Sequence, residues 1–399
     1  MEQITIRDIK VFLLCPEGQN LVVVRVETNE PGLYGYGCAT HAYRAYAVKD
    51  IIDRSYRPLL IGRDVSRIED LWKLMMVNGY WRNGPIANNA VAGIDMALWD
   101  IKAKMANMPL YDLLGGKCRD RVNVYKHCNA GTKEQVLELA HRALDTGCHY
   151  IRAAYTGYDG PSDSEYLCLA NDCKYYDPKQ HRKYIVDLFE SLRSEFGDSI
   201  EMMTDTHERL DPNDAVKLAK ALEPLDMYFM EDPLSPENAG WLDRIREQCM
   251  TPIAWGEVFS HPHEWMSVIE KRQIDFIRCH ISAIGGLTAA RKIATFAELY
   301  AVKTAWHGPL DMTPIAMAVQ VHLDYASPNF GIQEMYSDSE LTHDIFPGSP
   351  TYRDGAIWLN EKPGHGVDFN EALAEKYPPH EKTTKWTEMR LPDGTLHTP

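Results

Sequence analysis

Between residues 117 and 357 the chain alternates short β-prone apolar runs with amphipathic stretches, and this rhythm constrains the fold more than any other feature. Eight strand-like runs stand out: 121–127, 150–155, 201–207, 227–232, 252–257, 276–281, 302–307 and 330–335. Helical patterns fit between them. Asn213 to Leu222, for example, repeats Ala215, Leu218, Ala219 and Leu222 at helical spacing. Strands that alternate with helices predict a parallel sheet, and eight repeats predict its closure into a (β/α)8 TIM-like barrel. The alternative is an open doubly wound sheet. It is disfavoured because no G-x-G-x-x-G loop follows an early strand.

Residues 1–116 read as a smaller α+β domain capping that barrel. Ile4–Leu14 and Leu21–Glu27 are strand-like. Helical periodicity follows over Tyr46–Leu60, Ser66–Asn78 and, most clearly, Asn89–Met105. Residues 358–399 are expected to leave the barrel and return to this domain. The connection from Tyr155 to about His181 is too long and too polar for an ordinary link. It emerges from the second barrel strand, where a lid would be placed.

Within three of the eight runs, the stretches 201–205, 227–231 and 252–257 each end on an acid, Asp205, Glu231 and Glu257, 26 residues apart. On parallel strands these carboxylates share one end of the barrel, the end at which barrel enzymes carry their chemistry. Three carboxylates without a thiolate suit a hard divalent ion, Mg²⁺ above all. His207 is two residues beyond Asp205 and is expected to point the same way. His127, Arg152, Arg278, His280, His307 and Glu334 fall at or near the ends of other strands. A metal-bound carboxylate acidifies its α-proton by stabilising the enediolate. Histidines, with an ordinary pKa of about 6.5, can then act as acid or base.

The bulk properties narrow the partners. A net charge of −15 argues against nucleic acid or an anionic membrane surface. Nine cysteines without CxxC pairs, no leader-like opening and no apolar run near the ~18 residues of a membrane span predict a reduced, cytoplasmic protein. The expected partner is a small-molecule sugar acid.

Specific motifs sharpen this. Ala90–Lys102 together with Pro109–Gly116 resembles the enolase superfamily in its mandelate racemase-like branch. Asp205–Leu210, Asp275–Ser282, Ala305–Pro309 and Gly331–Glu334 resemble the mannonate dehydratase family. The ending Arg390–Pro399 resembles its starvation-sensing and D-galactonate dehydratase relatives. The resemblance implies Mg²⁺ on Asp205, Glu231 and Glu257, and His207 as the acid that protonates a departing 3-hydroxyl. It also implies substrate contacts at His127, Arg278, His307 and Glu334. The implied base is a tyrosine paired with Arg152: Tyr158 by preference, with Tyr155 and Tyr166 as other candidates. The implied reaction is syn loss of water from D-mannonate or D-gluconate, a hydro-lyase reaction giving 2-keto-3-deoxygluconate, in a homo-oligomer that is often octameric. Two departures stand out: the family's substrate-contacting asparagine falls at Ala42, and the loop after the second strand, long as it is, is shorter than the family's and lacks its Thr-Tyr-Gly context. Turnover of D-mannonate is therefore expected to be weak. The alternatives are a racemase, epimerase or cycloisomerase with His307 as base, and a ligand-binding or regulatory protein that has lost dehydration.

Overall fold

The computed structural model describes residues 3–156, 176–335, 339–381 and 387–397. The lid-like segment and two of the candidate bases, Tyr158 and Tyr166, lie outside the described residues.

The chain opens with an antiparallel meander of β1 (Ile6–Leu14), β2 (Leu21–Thr28) and β3 (Tyr34–Cys38). A helix at Pro85–Met105 crosses this sheet at close range. Gly37 permits the approach, since a Cβ there would collide with the Gly93 carbonyl. The helix starts earlier than its apolar period suggested, because Gly84, at φ 108°, and Pro85 at the first helical position open it.

This helix also ties the capping domain to the barrel. Asp95 is fully buried and accepts from the Thr288 amide (2.9 Å) and hydroxyl (2.5 Å), at the start of the barrel helix Leu287–Leu299. Burial pushes its carboxyl up to about 7. An unfolded aspartate titrates at about 3.9. Stability from the folded, protonated form is therefore complete below about pH 4 and is lost as pH rises toward 7. Asp95→Asn is expected to flatten that decline by about 2–4 kcal/mol across the window. Urea unfolding at a series of pH values checks this, and an unchanged slope would contradict it.

The barrel strands are β4 (Val122–Ala130), β5 (Tyr150–Tyr155), β6 (Glu201–Asp205), β7 (Phe229–Glu231), β8 (Ile253–Trp255), β9 (Phe276–Ile277), β10 (Lys303–Thr304) and β11 (Gln333–Met335). All neighbours from β4 to β10 pair in parallel, and β11 pairs in parallel with β4. A parallel bridge from Thr304 to Phe330 completes the circle, so the chain forms the expected (β/α)8 barrel. Several strands are shorter than read from sequence, because the chain bends out of the ladder at the mouth. A hairpin of β12 (Thr351–Arg353) and β13 (Ala356–Trp358) lies antiparallel on the start of β4.

The remaining residues make two contacts in succession. Residues 364–380 run over the capping domain. The His365 amide donates to Asp100, Phe369 packs on Phe12 and Tyr36, and Glu371 pairs with Arg25 (2.6 Å). The chain then returns to the barrel mouth. Tyr176 donates its amide to the Arg390 carbonyl (2.7 Å) and stacks on His397, which bonds the Arg209 carbonyl (2.7 Å). The expected return to the capping domain described only the first of these contacts. Among the described residues no helix is long and apolar enough to cross a membrane, and the seven described cysteines are free.

Candidate metal and acid-base site

Strand alternation builds the barrel interior in two layers. The lower is an apolar plug of Tyr125, Met203, Phe229, Ala254, Phe276, Ala305 and Ile332. Residues two further along each strand share its inward face. They are His127, Asp205, Glu231, Gly256, Arg278, His307 and Glu334, joined by Arg152 of β5. A hydrophobic floor therefore carries a polar, charged ceiling that faces the mouth.

Arg278 organises one side of that ceiling and is completely buried. Its Nη1 donates to Glu257 (2.7 Å) and lies 3.3 Å from Asp232. Its Nη2 donates to Glu334 (2.6 Å) and lies 3.0 Å from Glu231 and 3.2 Å from the Tyr125 hydroxyl. Arg152 organises the other side. Its Nη1 donates to Asp205 (2.8 Å) and Glu231 (2.7 Å), with Glu334 at 3.3 Å. His127 completes this side with Nε2 2.7 Å from Glu334. Buried ion pairs of this density persist only where each charge has partners.

Of the residues singled out from sequence, His127, Arg152, Asp205, His207, Glu231, Glu257, Arg278, His307 and Glu334 all meet at this end. Their detail differs in three respects. First, the equal spacing of the acids is not equal register. Asp205 pairs with Glu231, but Glu231 pairs with Ala254, so Glu257 stands three residues beyond the level of the other two. The inward position on β8 is Gly256, whose φ of 126° and contact with the Phe259 ring exclude a side chain. Glu257 accordingly sits farther out, partly exposed, between Arg278 and His307 Nε2 (3.3 Å). The ligand atoms that lie within 4.8 Å of one another belong to Asp205, Glu231 and Asp232.

Second, His207 reaches Asp205 by another route than strand alternation. β6 ends at Asp205, and His207 adopts a left-handed backbone (φ 48°). That bend folds its Nδ1 to 2.7 Å from Asp205 Oδ2, while its amide donates to Asp205 Oδ1 (2.8 Å). Left-handed conformations at non-glycine residues cluster at functional sites. Third, Tyr155 does not face the site. It is three residues from Arg152 on β5, so alternation turns it outward, into the strand–helix layer beside Tyr184.

Three acids of this region were not singled out from sequence. Asp232 should point outward after Glu231, but a φ of 39° turns it inward, where the Gly256 amide donates to its Oδ1 (2.9 Å). Glu208, also left-handed, has its carboxyl pushed up to about 10, first by burial and then by Asp232 and Glu257. Asp311 follows β10, and burial beside Glu334 pushes it up to about 6. No strand periodicity could have flagged these loop positions.

The electrostatics separate the groups. Burial opposes charge on Asp205, yet His207 and Arg152 hold its carboxyl well below the ordinary range. Burial likewise opposes charge on Glu334, and Arg278 and His307 hold it low. Burial pushes Glu231 up and pushes His307 well down. Cys128 and Cys279 are buried thiols, Cys128 pushed up to about 12, and have no thiolate character.

The chain matches two families along nearly its whole length. Residues 2–115 match the mandelate racemase/muconate lactonizing enzyme N-terminal domain, and residues 136–373 match the enolase C-terminal domain-like family. A D-galactonate dehydratase family member from Enterococcus gallinarum is 49% identical over the whole of both chains. A D-galactonate dehydratase family member RspA from Pantoea ananatis is 46% identical, again over the whole of both. The crystal structure of an enolase from Pantoea ananatis with bound D-gluconate and Mg is 46% identical, with a TM-score of 0.96 over 99% of this chain and 100% of that one. The chain thus belongs to the enolase superfamily, in its mandelate racemase/muconate lactonizing branch, among the D-galactonate dehydratase family members.

Proposed function

We propose that this protein is a Mg²⁺-dependent lyase of the acid-sugar dehydratase type, acting on a hexonate such as D-gluconate and weakly, if at all, on D-mannonate. One observation carries the reading: Asp205 and Glu231 pair side by side, and His207 rests on the Asp205 carboxylate 2.7 Å away. The D-gluconate and Mg bound by the Pantoea ananatis relative support the same ligand class.

The donor set fits the ion. Carboxylates within 4.8 Å of one another are hard oxygen ligands at the convergence a divalent cation needs. Asp205 and Glu231 would hold it. Of the two acids beside Arg278, Glu257 is the better third ligand, because it is longer and partly exposed, whereas Asp232 is buried and bonded to the Gly256 amide. When bound, Mg²⁺ neutralises the substrate carboxylate and stabilises the enediolate that forms on loss of the C2 proton.

The chain's own residues do the rest. His207, oriented through Nδ1 by Asp205, is set to deliver a proton to the departing 3-hydroxyl, which leaves as water. The enol that remains tautomerises to a 2-keto-3-deoxy acid. Arg278 and Arg152 hold the acids in place, and His127, Arg278, His307 and Glu334 are the residues taken to contact the substrate. The base is taken to be Tyr158, the tyrosine that the family resemblance pairs with Arg152. We further propose a homo-oligomer, octameric by analogy with the family, working in the cytoplasm.

A panel of hexonates incubated with Mg²⁺ should yield a 2-keto-3-deoxy acid, detected by its semicarbazone. No product from any member, with or without Mg²⁺, would overturn the assignment. Solvent deuterium entering C2 without loss of water would point instead to an epimerase.

A further inference from the structure

The site described so far accounts for the carboxylate end and the reacting carbons of a sugar acid, but not for its far end. His280 lies two residues beyond Arg278 on the same inward face, about 7 Å nearer the mouth. It is buried, at 8% exposure, and its Nδ1 has no hydrogen-bond partner among the described residues. It bridges to His307 in parallel, and the two rings meet edge to face at 5.2 Å. His307 Nδ1 is likewise buried and, among the described residues, without a partner. The Ser282 hydroxyl, two residues beyond His280, donates to the Cys38 carbonyl (3.3 Å) and pins the two domains together here.

We propose that His280 is a specificity-determining residue: it hydrogen-bonds the distal hydroxyls of a six-carbon mono-acid, in a subsite that His307 completes. This rests on the acid-sugar reading above and deepens it. The chemistry of the subsite is that of an uncharged imidazole. Burial pushes His280 down to about 4, so its ring offers one donor and one acceptor, the complement of an alcohol. A second carboxylate would require a cation. The Arg278 guanidinium is already held by four carboxylates, and Arg44, beside His41, is exposed and bonded to the Tyr43 carbonyl. A pocket built to bond hydroxyls discriminates strongly against ligands that lack them, because its buried polar groups are left unpaired.

The test is calorimetric binding in the presence of Mg²⁺, which needs no turnover. The probes are D-gluconate, the four-carbon D-erythronate and the diacid galactarate. The wild-type protein should bind gluconate more tightly than either of the others. His280→Ala should weaken gluconate about tenfold and leave erythronate unchanged. His280→Asn, which keeps a donor and an acceptor, should recover part of the loss. Equal losses for gluconate and erythronate, or no loss for either, would overturn the assignment, as would tighter wild-type binding of galactarate. If His280→Ala does not fold, the Asn variant decides, with selective weakening of gluconate as the supporting result. Wild-type protein that binds no aldonate refutes the acid-sugar reading itself. Wild-type protein that binds gluconate while the variants match it refutes only the role of His280.

Discussion

Glu231→Gln is expected to abolish turnover, by at least about 10³-fold, and to remove measurable Mg²⁺ binding. Glu231 is completely buried, lies level with Asp205 and contacts both arginines. The substitution keeps its shape and removes one negative charge at the point where a cation would sit. Isothermal titration with Mg²⁺ and the keto-acid assay would measure the two effects. Retained Mg²⁺ affinity would show that the ion binds elsewhere. The same titration ranks the acids beside Arg278. Glu257→Gln should weaken Mg²⁺ more than Asp232→Asn. The reverse order would place Asp232 in the ligand set and leave Glu257 as a partner of Arg278 and His307.

His207→Asn should lower dehydration by about 10²–10⁴-fold while leaving exchange of the C2 proton with solvent largely intact. The two steps rest on different groups. Loss of the 3-hydroxyl needs the acid on Asp205, whereas removal of the C2 proton needs the base and the charge at Asp205 and Glu231. Deuterium incorporation followed by NMR, beside the keto-acid assay, separates them. If both rates fell together, His207 would be the base, and the assignment of acid and base would have to be exchanged.

The order of elements was legible because it depends on repeating local patterns. Apolar period and strand-helix alternation gave the barrel, and strand ends gave the set of polar residues that meet at its mouth. What the pattern did not contain was register. Equal spacing in sequence placed Asp205, Glu231 and Glu257 on one level, yet connections of equal length can enter strands at different heights, and Gly256 takes the inward place on β8. Nor did it contain backbone hand. His207, Glu208 and Asp232 all adopt left-handed conformations, and these decide where their side chains point. Such bends are fixed by the packed surroundings rather than by residue type, so parity along a strand carried no signal for Asp232 and reached His207 for the wrong reason. Tyr155, kept as a candidate base in the sequence reading, is a residue that parity alone turns away from Arg152.

The two guanidiniums of the barrel have a consequence for how such a protein comes to be active. Arg152 bridges Asp205 and Glu231, and Arg278 ties together Glu231, Asp232, Glu257 and Glu334. Mutual repulsion among these acids is thereby quenched from within the polypeptide. Stripping the ion is therefore expected to silence the protein without unfolding it, and melting curves with and without EDTA would check this: a collapse on chelation would contradict it.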